Sequence, residues 1–136
     1  MANDEERARC RLEILPCPPL NGLPLPVPVS VVPALADQSL QATTSDTLEY
    51  FGPHEVGLWT RYGYWYANTG AQGAFIQLEV SPDAQNWSIF GSQTLAGGAI
   101  DWAMISLFSR YARLGFRSQT PGQSTGLTVW WQAQRT

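Results

Sequence analysis

Few residues of this 136-residue chain could do chemistry. His54, in the run GPHE, is the single histidine and the natural place to look for a general base. Its position after Gly52-Pro53 reads as an exposed loop, and nothing around it marks a triad. Asp83 and Asp101 could form the carboxylate pair that a glycosidase requires. Asp83, however, reads more simply as a turn residue in SPDAQN, and Asp101 follows the Gly97-Gly98 turn at a strand start. DAQN at 83–86 is too thin a set of oxygen ligands for calcium. Gly97-Gly98 has no helix after it to complete a phosphate cradle. The residues predict a protein that is not an enzyme, with no cofactor.

Cys10 and Cys17 are the only cysteines, and with one distant histidine they do not make a zinc centre, so no metal is expected. Three fates are open to them. An intrachain bridge needs the chain to double back across Pro16. A bridge from Cys10 of one copy to Cys17 of another needs no reversal. Two reduced thiols would behave as small hydrophobes.

These cysteines lie in a segment unlike the rest of the chain. From Arg7 to Ile14 the residues alternate: Arg7, Arg9, Arg11 and Glu13 on one side, Ala8, Cys10, Leu12 and Ile14 on the other. That is the period of a half-buried strand. A strand needs a sheet, either that of its own body or that of another subunit. Pro18 to Pro33 then carries alternating Leu/Pro and Val/Pro, which favours an extended polyproline-like conformation. The chain therefore divides into an N-terminal arm, 1–33, and a body, 34–136.

The body reads as all-β. Expected strands include Val56 to Ala67, with Tyr62, Tyr64 and Tyr66 on one face, and Ala74 to Val80, with Ala74, Ile76, Leu78 and Val80 inward. Trp87 to Leu95, Ile100 to Phe108, Tyr111 to Ser118 and Leu127 to Gln134 follow, with Gly52-Pro53 as a break. Short strands at regular spacing predict a two-sheet antiparallel sandwich, and eight of them suit a jelly roll. Phe75, Trp130 and Trp65 fall on outward positions and are candidate contact residues.

Bulk composition narrows the partners. Charged residues make up only 14% against 44% hydrophobic, which argues for a packed core despite ten prolines. A net charge of −3 disfavours nucleic acid and no run is long enough to span a membrane, so neither nucleic acid nor a membrane is expected as a partner. All eight cations are arginine, a residue suited to packed, planar contacts. No secretory leader is visible, so the expectation is synthesis without a signal peptide.

Two resemblances extend this reading. The segments FIQLEVSPDAQNWSIFGSQTLAGG and SRYARLGFRSQ, within Gly73 to Ser118, resemble a β-sandwich domain of uncharacterised proteins from spore-forming bacteria. The architecture (sandwich body, cysteine-bearing arm, no leader) resembles the subunits of bacterial endospore appendages. That resemblance implies a structural subunit that polymerises head to tail with copies of itself by arm insertion and sheet augmentation. The filament would be extracellular or on the spore surface, made in the mother-cell cytoplasm and then released. It also implies that Arg7 to Ile14 is the connector and that Cys10 and Cys17 are its disulfide locks. Residues 18–136 hold no cysteine, unlike that family's bodies, so a cross-link must run from arm to arm. The alternatives are a carbohydrate-binding module using Trp65, Trp87 or Trp130, with a glycan as partner, and a phage tail or virion decoration protein.

Overall fold

A computed structural model describes residues 34–135. They form eight strands: β1 (Ala34–Thr43), β2 (Glu49–Glu55), β3 (Arg61–Asn68), β4 (Ala74–Ser81), β5 (Ser88–Leu95), β6 (Ile100–Met104), β7 (Tyr111–Ser118) and β8 (Gly126–Arg135). One sheet has the order β1-β8-β3-β6 and the other β2-β7-β4-β5, with every pairing antiparallel. This is the strand order of a jelly roll, and the expected two-sheet sandwich stands. Only β4 and β5 are neighbours both in sequence and in a sheet.

Strict alternation drives the assembly. Tyr62, Tyr64 and Tyr66 of β3 and Leu127, Val129, Trp131 and Ala133 of β8 are buried from one sheet. Ile76, Leu78 and Val80 of β4 and Ala112, Leu114 and Phe116 of β7 meet them from the other. A period of two puts each set on one side of its strand, so both sheets must face each other to remove them from water.

Four expectations need correction. Gly52-Pro53 does not interrupt the chain but lies inside β2, where the register shifts between Phe51 and His54. β2 is an edge strand, which tolerates a residue without an N–H, and Gly52 takes up a φ of +119°. Strand β3 starts at Arg61, not Val56. Val56 is buried as a loop plug, its N–H donating to the Arg110 carbonyl and its carbonyl accepting from the Trp59 N–H. Strand β6 ends at Met104, because Ile105 turns inward and is buried. His54 is not in an exposed loop: it is 6% exposed and faces the core.

Asp83 is the turn residue its sequence predicts. Its carboxylate accepts from the N–H groups of Asn86 and Gln85 and from Asn86 Nδ2. Those donors, the Asn86 N–H first, hold its carboxyl far below the usual range. Among the described residues no three His, Cys, Asp or Glu side chains cluster as metal ligands.

Candidate functional site

The outer face of the β1-β8-β3-β6 sheet is built by register. Trp130 of β8 is the cross-strand partner of Ser39 on one side and Trp65 on the other, and Trp65 is in turn the partner of Trp102 of β6. One row across the sheet therefore reads Ser39, Trp130, Trp65, Trp102. The Trp65 and Trp102 rings lie 6.1 Å apart at 38°. Trp130 is half-buried, whereas Trp65 is 41% and Trp102 55% exposed. Met104 and Ile100 flank Trp102 along β6 on the same side, and both are exposed.

The next row is Asp37, Gln132, Gly63 and Met104. Gly63 leaves a gap beside Trp65, and a trough of about 630 Å³ opens there, lined by Leu35, Arg61, Trp65, Trp102 and Met104. A Cβ on Gly63 would come 2.6 Å from the Ala103 carbonyl oxygen, so the close approach of β6 requires glycine. Scattered exposed hydrophobics are ordinary, but a continuous row rimmed by polar residues marks a contact surface.

The other sheet treats its outer aromatics differently. The Arg113 guanidinium lies between the Tyr50 and Trp87 rings, 3.7 and 3.9 Å from their centroids, and its Nη2 donates to Glu79 Oε1 at 2.8 Å. Glu79 is buried although it sits on the outer side. Arg117 covers Phe75 at 4.3 Å. Planar, weakly hydrated guanidinium groups thus roof this face. Arg117→Ala should cost about 1 kcal/mol and uncover Phe75, measured as a lower urea midpoint with increased binding of a hydrophobic dye.

The four sheet edges also differ. Pro53 and its register shift break β2. In β5, Phe90 is an extra residue between the pairs Leu78–Gly91 and Glu79–Ile89. In β6, which is short, the Trp102 N–H donates to the Asp101 carboxylate of its own strand at 2.8 Å. Each device blunts an edge against pairing. β1 has none of them. It runs ten residues in unbroken register with β8, and among the described residues its other edge carries no backbone partner.

His54 joins the two sheets beside that edge. Its Nδ1 is 2.8 Å from the Tyr64 hydroxyl and its Nε2 3.0 Å from Gln38 Oε1 of β1. Since Gln38 Oε1 only accepts, Nε2 carries the proton, and Nδ1 accepts from Tyr64. The ring stacks on Trp131 at 4.6 Å and 2°. Burial pulls its pKa down to about 4. This is a structural clasp, with both ring nitrogens occupied by Tyr64 and Gln38.

The structure thus brings Trp65 and Trp130 together and places Phe75 on the opposite sheet. Trp102, Met104 and Gly63 were missed in the sequence. The available signal was the alternation of Ile100, Trp102 and Met104, which assigns all three to one side of β6. Ala8, Cys10, Leu12, Ile14 and Cys17 lie outside the described residues.

Residues 55–135 match a family described as a domain of unknown function, DUF6385. The chain belongs to this family. The DUF6385 segment takes in all strands except β1 and β2, apart from the last residue of β2. No curated protein matches the chain in sequence. Among solved structures, a subunit of the Bacillus endospore appendages, described as disulfide-linked pili, superposes with a TM-score of 0.52 at 10% identity. That alignment covers 76% of this chain and 89% of the other. PirA superposes at 0.55 with 12% identity, covering 68% and 92%. The PBSX exported protein XepA superposes at 0.54 with 14% identity, covering 78% of this chain and 37% of its own. At such identities the likeness is one of fold, and it agrees with the resemblance seen in the sequence.

Proposed function

We propose that this DUF6385 protein is a structural subunit, not an enzyme, which polymerises head to tail into an extracellular or spore-surface filament. The observation that carries the reading is the outer edge of β1, which among the described residues has no backbone partner and is interrupted by no proline, bulge or own-strand cap. A strand from another copy, Arg7 to Ile14, adds there and extends the sheet, burying Ala8, Cys10, Leu12 and Ile14. Such a contact joins different surfaces of the two copies and does not close, so it propagates. The bare Trp65–Trp102 face then lies within reach of neighbouring copies. Cys10 and Cys17 serve as arm-to-arm locks, formed once the filament has left a reducing cytoplasm. The fold shared with the endospore appendage subunit supports this reading.

The chain lacking residues 1–16 should remain folded but elute as a monomer, where the full chain elutes as large assemblies by light scattering. Assemblies from the shortened chain would show that the arm is not the connector.

The row Trp130, Trp65, Trp102 favours a second reading, a glycan platform, because sugar rings stack on aromatic faces rimmed by polar groups such as Asp37, Arg61 and Gln132. Retention on a polysaccharide resin by the full chain, lost in Trp65→Ala with the fold intact, would support it.

A further inference from the structure

The trough on the β1-β8-β3-β6 sheet runs across its strands. Its floor is the row Asp37, Gln132, Gly63, Met104. Trp65 and Trp102 form one wall. The other wall is Leu35 and Arg61, which flank Gln134 as its partners on β1 and β3. Three strand spacings separate β1 from β6, about 14 Å, so the trough crosses the whole sheet. Apolar side chains stand at both of its ends: Leu35 is 74% exposed on β1, and Met104 is 54% exposed on β6. Asp37, Arg61 and Gln132 are exposed along it.

The trough and the outer edge of β1 are contiguous. Leu35 and Asp37, which form the near lip, belong to the strand whose other edge has no backbone partner among the described residues. A chain that reaches this edge therefore has the trough beside it. The far lip is Met104 at the end of β6.

The arm holds a segment that matches the trough in chemistry and in length. Residues 14–33 carry no charged side chain, and residues 23–29 read LPLPVPV, apolar throughout. Such a segment is stabilised by leaving water. Pro24, Pro26 and Pro28 have no N–H, so the segment can lie against an apolar wall with few donors left unpaired. In the extended form that this sequence favours, at about 3.1 Å per residue, residues 23–29 span about 22 Å and cross the sheet. Aromatic-lined grooves take proline-rich chains in this way. Ring faces pack on the indoles, and Arg61 and Gln132 supply donors for the backbone carbonyls.

We propose that residues 23–29 of one copy's arm occupy the trough of the next copy. The inference rests on the strand addition proposed above, which brings residues 7–14 to the edge of β1. The run from Ile14 to Leu23 reaches about 30 Å when fully extended. Asn21-Gly22 supplies the turn from the edge onto the face. The added strand contributes backbone hydrogen bonds, and the proline-rich segment contributes apolar area over Trp65 and Trp102. That face is then covered along the polymer and bare only on a terminal copy.

The test is photo-cross-linking of the full chain carrying Met104→p-benzoylphenylalanine, as a mixture of unlabelled and nitrogen-15-labelled protein. Mass spectrometry should find position 104 joined to residues 23–29, with mixed-label pairs among the products. Pro24→Ala/Pro26→Ala/Pro28→Ala leaves the sequence of the body unchanged and should raise the concentration needed for assembly at least tenfold by light scattering. Cross-links to any other segment, or to residues 23–29 of the same copy alone, would overturn the inference. So would assembly of the proline variant at the parent's concentration. If the chain lacking residues 1–16 were then still monomeric, strand addition would stand and only the occupant of the trough would fall. Polysaccharide retention by the assembled parent, lost in Trp65→Ala, would give the trough to a glycan and overturn the inference as well. A parent chain that stays monomeric and forms no mixed-label cross-link would contradict both.

Discussion

Ser39→Lys combined with Gln41→Lys should abolish polymerisation while leaving the body folded. Both residues lie on β1, point away from the core and are exposed, so the fold loses little: roughly 0.5 kcal/mol or less per site. A pair of lysines along an edge is the device by which natural sheets refuse a further strand, and this chain contains no lysine at all. The effect on assembly should be close to all-or-none, because each contact in an open chain depends on one added strand. A change in net charge alone could also weaken association. Ser92→Lys with Thr94→Lys supplies the same charge on β5, an edge already broken at Phe90. Light scattering should show monomers for the β1 pair and unchanged assemblies for the β5 pair. Equal behaviour of the two would remove β1 from the account.

The second large effect is acid lability centred on His54. Burial lowers its folded-state pKa to about 4, against 6.5 for the free side chain. Between those values the unfolded chain binds a proton that the folded one does not. Stability from this group is therefore complete above pH 6.5 and is lost as the pH falls towards 4. The difference corresponds to about 3 kcal/mol. The groups that touch the ring, Gln38, Tyr64, Phe51 and Trp131, do not titrate in that range, so none offsets the loss. Asp83 and Asp101 are held below the ordinary carboxylate range by hydrogen bonds, from the Asn86 and Trp102 N–H groups first. Their contribution falls away only at lower pH still. Urea unfolding at a series of pH values should trace the slope, and His54→Gln should flatten it while lowering stability at neutral pH. A parent curve flat from pH 7 to pH 4.5 would show that His54 is not buried neutral.

Much of the fold was legible because alternation is a local property. Tyr62, Tyr64 and Tyr66, or Leu114 and Phe116, declare an inward side within a few residues. Sheet order was less accessible, since five of the six pairings join strands distant in sequence. His54 misled because Gly-Pro usually ends an element, and only the edge position of β2 lets Pro53 stay within it. Half of the outer face was legible: Trp65 and Trp130 stand on outward positions of strongly alternating strands. Trp102 joins them only through the β3–β6 pairing, and the trough depends on Gly63, whose meaning comes from the close approach of Ala103. The edge position of β1 within the described sheet had no local signal at all. An edge is defined by what fails to pair beside it, and Ala34 to Thr43 looks like any other exposed strand.

Negative-stain electron microscopy of the purified full-length protein tests the central claim most directly. The account predicts filaments of uniform width that grow with protein concentration and are missing for the chain lacking residues 1–16. Monodisperse particles from the full-length protein at every concentration would contradict it.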